Sequence, residues 1–396
     1  MLASALDGIR VFDLSTRVAG AWCSRLLADF GADVVMVEPP GGNPVRALAP
    51  FDAAGRGIVG AYVLANKRSV ALDVASEQGR AAFADLAAGC DVVVDSAVPG
   101  SDFGAFEQRR DGAILVSVTP HGLSGARATA EGNDLTAHAL SGWASVNGLA
   151  GREPLKGSGF MASYVAGTAA YGAAMTALLH RELHGGGQHI DVSETEALLE
   201  IFSAAFLRGQ YFGEPFPRRE KLGMTGSFPV PVRDGYLSLT VGRGERARDA
   251  MIALGLHELA DNEELMERPF RLALANDPEI AARIEAKALE WDRMDLFEAL
   301  SVLLVIAGPV LSVGELSTNE QLLDRGYFVR PPDAPGGPRY PGAPVKLGAS
   351  PWSMRRSRPA PGEHTAEVLR ELAGYDDAQI AAVMVAEPPS NGVAAS

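Results

Sequence analysis

The sequence predicts an α/β fold in which a doubly wound parallel sheet forms a large domain and a smaller α+β domain accompanies it. Short apolar, β-branched runs alternate with stretches of helical periodicity over residues 9–120. Strands separated by helices of this length form right-handed βαβ units. Two segments rich in proline then interrupt the pattern. We therefore expect a large domain in 1–209, a linker in 210–227, a small domain in 228–330, a second linker in 331–352, a return to the large domain in 353–387 and a disordered tail in 388–396.

The elements of the large domain follow in a regular order. The predicted strands are the apolar runs IRVFDLS, ADVVMVEPP, SVALDV, CDVVVDSA and GAILVSVTP. Helical spacing marks AWCSRLLADFG, which stops at Gly31, and SEQGRAAFADLAAG, which begins at Ser76 and closes at Gly89. This succession is typical of a Rossmann-like sheet. The first turn lacks the G-x-G-x-x-G fingerprint, so we do not expect a nicotinamide dinucleotide there.

The middle and the end of the chain are mainly helical. Residues 134–184 are long and apolar with many Ala and Gly residues, which permits either close packing or room for a ligand. GGGQHIDVS then predicts a turn into a strand, and ETEALLEIFSAAFLRGQYF predicts one helix. In the small domain, FPVPVRDGYLSLTVG predicts a hairpin around Asp234 and Gly235. GEHTAEVLRELAG and DDAQIAAVM predict the last two helices.

Composition excludes several classes of function. A net charge of −14 argues against a nucleic-acid partner, which would need a basic face. The run from Arg355 to Arg358 is a compact basic cluster, which we interpret as a solvated patch. Two cysteines make no disulfide framework, and the seven histidines show no metal-ligand spacing, so no metal is expected. No signal peptide or bilayer-spanning run is recognisable, so we expect a cytoplasmic protein without a membrane partner.

Several segments, taken in order, resemble the family III CoA-transferases, the CaiB/BaiF group that includes formyl-CoA transferase and the α-methylacyl-CoA racemases. They are LDGIRVFDLSTRVAGAWCSRLLADFGADVVMVEPPGGNPVR, NKRSVALDV, HRELHGGGQHIDVS, AGPVLS, LLDRGYF and GEHTAEVLRELAG. The resemblance implies a large domain built from both ends of the chain, a small domain in the middle and two chains interlocked as a dimer. It also implies coenzyme A or acyl-CoA as a substrate and no tightly bound cofactor.

Position 163 departs from the family pattern. In the stretch MASYVAG, Ser163 stands where the resemblance places the catalytic aspartate. A carboxylate suits CoA transfer because its acyl adduct is a mixed anhydride that the CoA thiolate can reopen. A serine hydroxyl needs a general base, and its ester would be too stable to pass CoA onward. We therefore do not expect Ser163 to act as a nucleophile.

The racemases of the same group use a His and an Asp on opposite faces of the α-carbon. By resemblance the Asp again falls at Ser163, and the His falls at Asn133, whose amide does not titrate near neutral pH. Glu245 in VGRGE lies where racemases carry an active-site glutamate. A single acid in an acidic chain is, however, typical of a solvated side chain.

The resemblance also predicts which residues contact CoA. The candidates that match are Arg17, Val18, Leu72, Lys67 and Arg68, although a strand residue such as Leu72 is also typical of a core. The family pattern has cations at four positions that are uncharged in this chain, namely Met36, Pro39, Ala75 and Val98. The segment Asp95–Val98 as a whole differs from the family pattern, and Glu131 lies near a position where a lysine is expected. Fewer cations weaken the attraction of CoA phosphates. The aromatic residues Trp143, Phe160, Tyr164 and Tyr171 could line an acyl pocket, but their helical spacing is more typical of core.

Three hypotheses follow. The leading one is the non-nucleophilic subunit of a heteromeric CoA-transferase, paired with a related family III chain that keeps the aspartate. A homomeric interlocked dimer with racemase-like or other acyl-CoA chemistry would have to use Glu245, Asp134 or His138. The third is a homologue that binds acyl-CoA without turnover. Asp134 is also the acid that we name as a candidate substitute for the missing carboxylate at position 163.

Overall fold

The computed structural model describes residues 4–74, 76–99, 112–214, 216, 218, 229–267 and 277–384. The chain divides into two compact units. Unit 1 is drawn from Met1–Val146, Leu155–Phe216 and Gly326–Ser396, and unit 2 from Asn147–Pro154 and Pro217–Arg325. The sequence did not suggest that the short piece Asn147–Pro154 belongs with unit 2.

A six-stranded sheet forms the centre of unit 1. Its strands are β1 (Arg10–Asp13), β2 (Asp33–Glu38), β3 (Arg68–Ala71), β4 (Val92–Asp95), β5 (Ile114–Thr119) and β6 (His189–Ser193). Every pair of neighbours is parallel, in the order β3-β2-β1-β4-β5-β6. The predicted doubly wound α/β fold is thus confirmed. The strand order reverses between β1 and β4, which is where such sheets open a crevice at the carboxyl ends of their strands.

Helices cover the sheet of unit 1. They are α1 (Val18–Asp29), α2 (Ile58–Val63), α3 (Glu77–Ala87), α4 (Asp134–Leu140), α5 (Trp143–Val146), α6 (Met161–His184), α7 (Glu194–Glu200) and α8 (Ser203–Phe212), with a 3-10 turn at Pro44–Ala47. The Ala-rich face of α6 is buried against α1 and the sheet. A Cβ at Gly167 would lie 2.4 Å from the carbonyl oxygen of Ala19, so the small residues of α6 serve close packing.

The stretch that the sequence predicted as one helix, from Glu194 onward, is in fact two. Phe202 leaves the helical conformation with φ −126° and ψ 29°, and α8 begins after it. The Phe202 ring packs edge-to-face on Trp143, with ring centroids 5.3 Å apart. This tertiary contact overrides the helical periodicity on which the prediction depended.

Unit 2 contains a three-stranded antiparallel sheet and short helices. Its elements are β7 (Pro229–Val232), β8 (Gly235–Thr240), α9 (Glu245–Ala253), α10 (His257–Ala260), α11 (Glu263–Glu267), α12 (Pro278–Ala288), α13 (Arg293–Val302), β9 (Ile306–Pro309), α14 (Val313–Leu316) and α15 (Glu320–Asp324). Strands β7 and β8 form the predicted hairpin about Asp234 and Gly235, and β9 adds to β8. The described residues of this unit share one apolar core.

The end of the chain returns to unit 1 through β10 (Phe328–Val329), β11 (Tyr340–Pro341), α16 (Thr365–Ala373) and α17 (Asp377–Val383). The backbone amide of His364 donates to the carbonyl oxygen of Ser69 on β3 at 2.9 Å. Val368 and Leu369 are buried in the same core cluster as α3. Among the described residues, no helix has both the length and the apolar character needed to cross a membrane.

A buried ion pair fixes the start of β3 to β1. The side chains of Lys67 and Asp13 are completely buried, and Lys67 Nζ lies 2.8 Å from Asp13 Oδ2. The same ammonium donates to the carbonyl oxygen of Ala21 and to Ser24 Oγ, each at 2.8 Å. All three ammonium donors are therefore used inside the fold.

Lys67→Met should therefore be strongly destabilising because it leaves the Asp13 carboxylate buried and unpaired. We expect the free energy of unfolding to fall by about 3–5 kcal/mol. Urea unfolding followed by tryptophan fluorescence measures this, with Lys287→Met, at a surface pair with Glu290, as the control. The further change Asp13→Asn should restore part of the loss. A Lys67→Met variant as stable as the control would contradict this role.

Candidate functional site

Four helices of unit 1 begin close together at the carboxyl edge of the sheet, namely α1, α4, α6 and α7. Arg17, which precedes α1, donates from Nη2 to the carbonyl oxygen of Gly132 at 2.8 Å and lies 3.3 Å from Glu194 Oε1 at the start of α7. Asp134, the first residue of α4, accepts through Oδ1 from the backbone amide of Ala162 in α6 at 2.9 Å. Helix N-termini carry partial positive charge, so this point favours developing negative charge.

Ser163 lies at this point, in the first turn of α6. It is only 5% exposed, and its backbone amide donates to Asp134 Oδ1 at 3.3 Å. Within the described residues its hydroxyl has no hydrogen-bond partner, and therefore no general base positioned to deprotonate it. The structure thus brings Ser163 and Asp134 together, as neighbours through the backbone of α6.

Asn133 performs a structural task at the same place. Its side-chain oxygen accepts from the backbone amides of Leu135 at 3.0 Å and Thr136 at 3.1 Å, and it forms a capping box with Thr136. It is the N-cap of α4. The position that the resemblance assigns to a racemase histidine is therefore occupied by a residue that stabilises a helix start.

Asp134 is already engaged on both oxygens. Oδ1 accepts two backbone amides of α6, while Oδ2 lies 3.1 Å from Lys156 Nζ and 3.3 Å from His138 Nδ1. His138 is fully buried, and its Nδ1 lies 2.7 Å from the backbone oxygen of Asp134. A carboxylate held in this way is a poor nucleophile, because attack would break the contacts that hold α6 to α4. This arrangement argues against Asp134 as a substitute for the missing aspartate.

Glu245 belongs to unit 2, where it is the first residue of α9. It is exposed and follows Gly244, whose φ of +63° lies in the left-handed region. An acid in the first turn stabilises a helix through its dipole. This contribution accounts for the presence of Glu245 without any catalytic role.

A crevice of about 380 Å³ opens where the strand order of the sheet reverses. Its lining residues are Leu14, Thr16, Arg17, Pro44, Asp95, Ser96, Ala97, Val98, Pro120 and Glu131. Asp95, Val98 and Glu131 are among the positions where the resemblance expects CoA contacts. Arg17 reaches the crevice, but its guanidinium is bound to Glu194 and Gly132. Two acids therefore face the crevice beside an arginine that is already neutralised.

Other predicted CoA contacts lie inside the fold. Lys67 has no free donor, and Arg68 binds Asp33, Glu367 and Glu371 while only 7% exposed. These positions argue against a contact of either side chain with CoA. The side chains of Val18, Met36 and Leu72 are in apolar core clusters, and Pro39 is exposed. Ala75 lies outside the described residues.

The aromatic residues proposed for an acyl pocket pack mainly against other rings. Tyr164 contacts Trp22, with ring centroids 5.2 Å apart, and Tyr171 stacks on Phe30 at 5.9 Å. Phe160 packs on the cluster that contains Val18, and Trp143 packs on Phe202. These contacts favour the interpretation that the rings are core.

Sequence reasoning missed Glu194, which is completely buried and has an Oε2 atom without a partner among the described residues. Glu194 directly follows β6, so it lies at the carboxyl edge of the sheet where the site forms. An acid placed immediately after a predicted strand was the signal that could have identified it.

Asp95→Asn should change how stability depends on pH. Burial raises the pKa of the Asp95 carboxyl group to about 6. Between pH about 4 and 6 the folded chain keeps a proton that the unfolded chain releases, so the free energy of unfolding falls as pH rises, by about 3 kcal/mol. Asn does not titrate and escapes this loss. In urea unfolding from pH 4 to pH 7, the variant should gain stability relative to the wild type, and parallel curves would contradict the assignment.

Comparison with known proteins agrees with the fold. The model of CoA-transferase family III matches residues 6–365. A succinate–glutarate CoA-transferase of Agrobacterium fabrum is 33% identical over 93% of this chain and 95% of its own length. The succinyl-CoA:(R)-benzylsuccinate CoA-transferase subunit BbsE of Thauera aromatica is 32% identical over 92% and 93%, respectively. The crystal structure of a CAIB/BAIF family protein from Brucella suis superposes with a TM-score of 0.82, at 27% identity, over 93% of this chain and 100% of that one. The chain belongs to CoA-transferase family III.

Proposed function

We propose that this chain is the non-nucleophilic subunit of a heteromeric CoA-transferase, in which a related family III chain supplies the catalytic carboxylate. One observation carries the proposal. Ser163 lies where four helices begin, but its hydroxyl has no base among the described residues. The neighbouring Asp134 is committed to α6 and Lys156.

The chemistry explains why a carboxylate must come from elsewhere. A carboxylate oxygen attacks the thioester carbonyl of the acyl-CoA and releases CoA thiolate, leaving a mixed anhydride. The thiolate then attacks the enzyme's half of that anhydride, which frees the first acid and leaves CoA on the enzyme as a thioester. The acceptor acid attacks this thioester, and the thiolate returns to the acyl group. A serine hydroxyl cannot support the second step, because its acyl ester has no carbonyl carbon on the enzyme's side that the thiolate could attack to form an enzyme thioester.

Part of a helix-start scaffold for an oxyanion remains in this chain. The first-turn amides of α4 and α6 already bind Asn133 and Asp134, whereas the start of α1 has no side-chain cap. Free amides at such a helix start stabilise negative charge without any side-chain nucleophile. The chain can therefore hold a structurally intact site while its partner performs the covalent steps.

An exposed helix supports the need for a partner chain. None of the residues of α8 is buried, and Phe206, Tyr211 and Phe212 are between 52% and 80% exposed. A ten-residue helix is marginal in water without an apolar face packed against something. A related chain seated on α8, interlocked as the family resemblance implies, would bury these rings.

The Thauera aromatica relative is named as a subunit, which supports a two-chain assembly for this chain as well. The Agrobacterium fabrum relative bears no subunit designation, and this favours a homomeric enzyme as the second candidate. In either case CoA acts as a dissociable substrate and not as a bound cofactor. The acceptors to test first are therefore the acids in these names, glutarate and (R)-benzylsuccinate.

The test measures CoA exchange from succinyl-CoA to these acids. The chain alone should give no exchange, and the chain co-expressed with a related chain that keeps the aspartate should give exchange at an enzymatic rate. Replacing the partner's aspartate by Ala should abolish it. A normal rate from the chain alone would contradict the proposal.

Ser163→Asp tests whether the scaffold is still competent. A carboxylate placed at this helix start should give the isolated chain detectable exchange, although the nearby Asp134 carboxylate raises the pKa of a new acid and keeps the rate low. Ser163→Asn, of the same size without the charge, is the matched control and should stay inactive. Equal rates for the two variants would show that the scaffold itself has lost competence.

A further inference from the structure

Three arginines from distant parts of the sequence meet on unit 1 beside the start of α2. Arg46 lies in the 3-10 turn after β2, Arg56 precedes α2, and Arg358 comes from the returning end of the chain. Arg46 Nη1 donates to the carbonyl oxygen of Pro359 at 2.7 Å, and Arg358 Nη1 donates to that of Gly57 at 3.4 Å. Arg358 therefore contacts Gly57, which follows Arg56 in the chain. Arg46 in turn contacts Pro359, which follows Arg358.

The three charges are neutralised unequally. Arg46 binds Glu38 through two hydrogen bonds of 2.7 Å and 2.6 Å, and Arg56 lies 2.8 Å from Asp52 Oδ2. In the described part of the chain, Arg358 has no carboxylate within ion-pair distance, and its one hydrogen bond goes to the backbone of Gly57. Burial lowers the pKa of Arg358, and the charges of Arg46 and Arg56 lower it further. The cluster therefore carries excess positive charge and unused N–H donors.

Close packing holds the cluster in place. A Cβ at Gly57 would lie 2.5 Å from the carbonyl oxygen of Arg46, and one at Gly60 would lie 2.9 Å from Arg46 Cα and 3.3 Å from Arg358 Nη1. Only glycine at these two positions lets α2 approach the turn that carries Arg46. The positions of Arg46 and Arg358 are thus set by the fold, whereas Arg56 is an exposed side chain paired with Asp52.

The neighbouring arginines of the 355–358 run hydrogen-bond to the fold, although Arg355 is exposed. Arg355 Nη2 donates to the carbonyl oxygens of Ala28 at 2.8 Å and Ala32 at 3.0 Å. Arg356 Nη1 lies 3.2 Å from the His364 ring. The run is therefore only partly a solvated patch: Arg355 is exposed, but it and Arg356 also hold the returning chain, and Arg358 joins the cluster.

We propose that Arg46, Arg56 and Arg358 bind a phosphate group of CoA, with Arg358 and Arg56 donating and Arg46 fixing the geometry. Guanidinium groups suit phosphate because they present several donors in one plane. Arg46 is bound to Glu38, the last residue of β2, so the cluster adjoins the strand end where Met36 and Pro39 replace expected cations. The cluster would thereby restore the attraction for CoA that those replacements remove. This inference takes CoA as the ligand from the proposed function and depends on no catalytic step.

The test is a titration of the full chain with CoA, dephospho-CoA and inorganic phosphate by calorimetry. Arg358→Gln and Arg56→Gln should each weaken CoA binding about tenfold, the loss expected of one charge-assisted contact. Arg370→Gln, which removes an exposed arginine paired with Asp377, is the control and should leave CoA binding unchanged. Because Arg56 is exposed, its variant should fold even where loss of Arg358 disturbs packing.

The ligands distinguish the source of the phosphate. If the variants lose affinity for CoA and not for dephospho-CoA, the cluster binds the 3′-phosphate; a loss for both assigns it to the diphosphate. CoA affinity unchanged in both variants would overturn the inference, as would a loss confined to inorganic phosphate. Binding does not require exchange, so a failure here leaves the proposed subunit role standing. Conversely, absence of exchange with every partner would not alter the binding result.

Discussion

The Asp134 carboxylate joins the beginnings of two helices, and the site depends on that contact. Its Oδ1 atom accepts the first free amides of α6, while its own backbone starts α4 under the Asn133 cap. Lys156 balances the charge on the other oxygen. The same carboxylate that positions Ser163 is thereby removed from the set of available nucleophiles. The first-turn amides of α6 are thus satisfied by a side chain of α4.

Much of the fold could be predicted because its signals are local. The apolar runs, the Ser76 cap and the Asp234–Gly235 turn each carry their structural meaning within a few residues. The break at Phe202 and the burial of Lys67 could not be predicted, because each depends on a partner far away in the sequence. The Phe202 ring packs on Trp143, and the Lys67 ammonium pairs with Asp13. The same limit applied to the site. The sequence indicated Ser163 and Asn133, but not that Glu194 and Lys156 would lie beside them.

Positive charge in this chain does not lie where the family resemblance places its CoA contacts. The crevice at the switch in strand order contains Asp95 and Glu131 and an arginine neutralised by Glu194. Excess positive charge lies instead beside α2, where Arg358 has no acidic partner in the described residues. A basic residue in a sequence is informative only when its partners are known, because Lys67 and Arg68 are equally cationic but are bound to acids within the fold.

We propose that the covalent steps of CoA transfer occur on a partner chain. The most direct measurement is the intact mass of each chain after the assembled two-chain enzyme is incubated with succinyl-CoA and no acceptor, with and without hydroxylamine to trap thioesters. The account predicts a CoA adduct on the partner, converted by hydroxylamine, and an unmodified mass for this chain. An adduct on this chain, located at Ser163 or Asp134 by peptide mapping, would contradict the account.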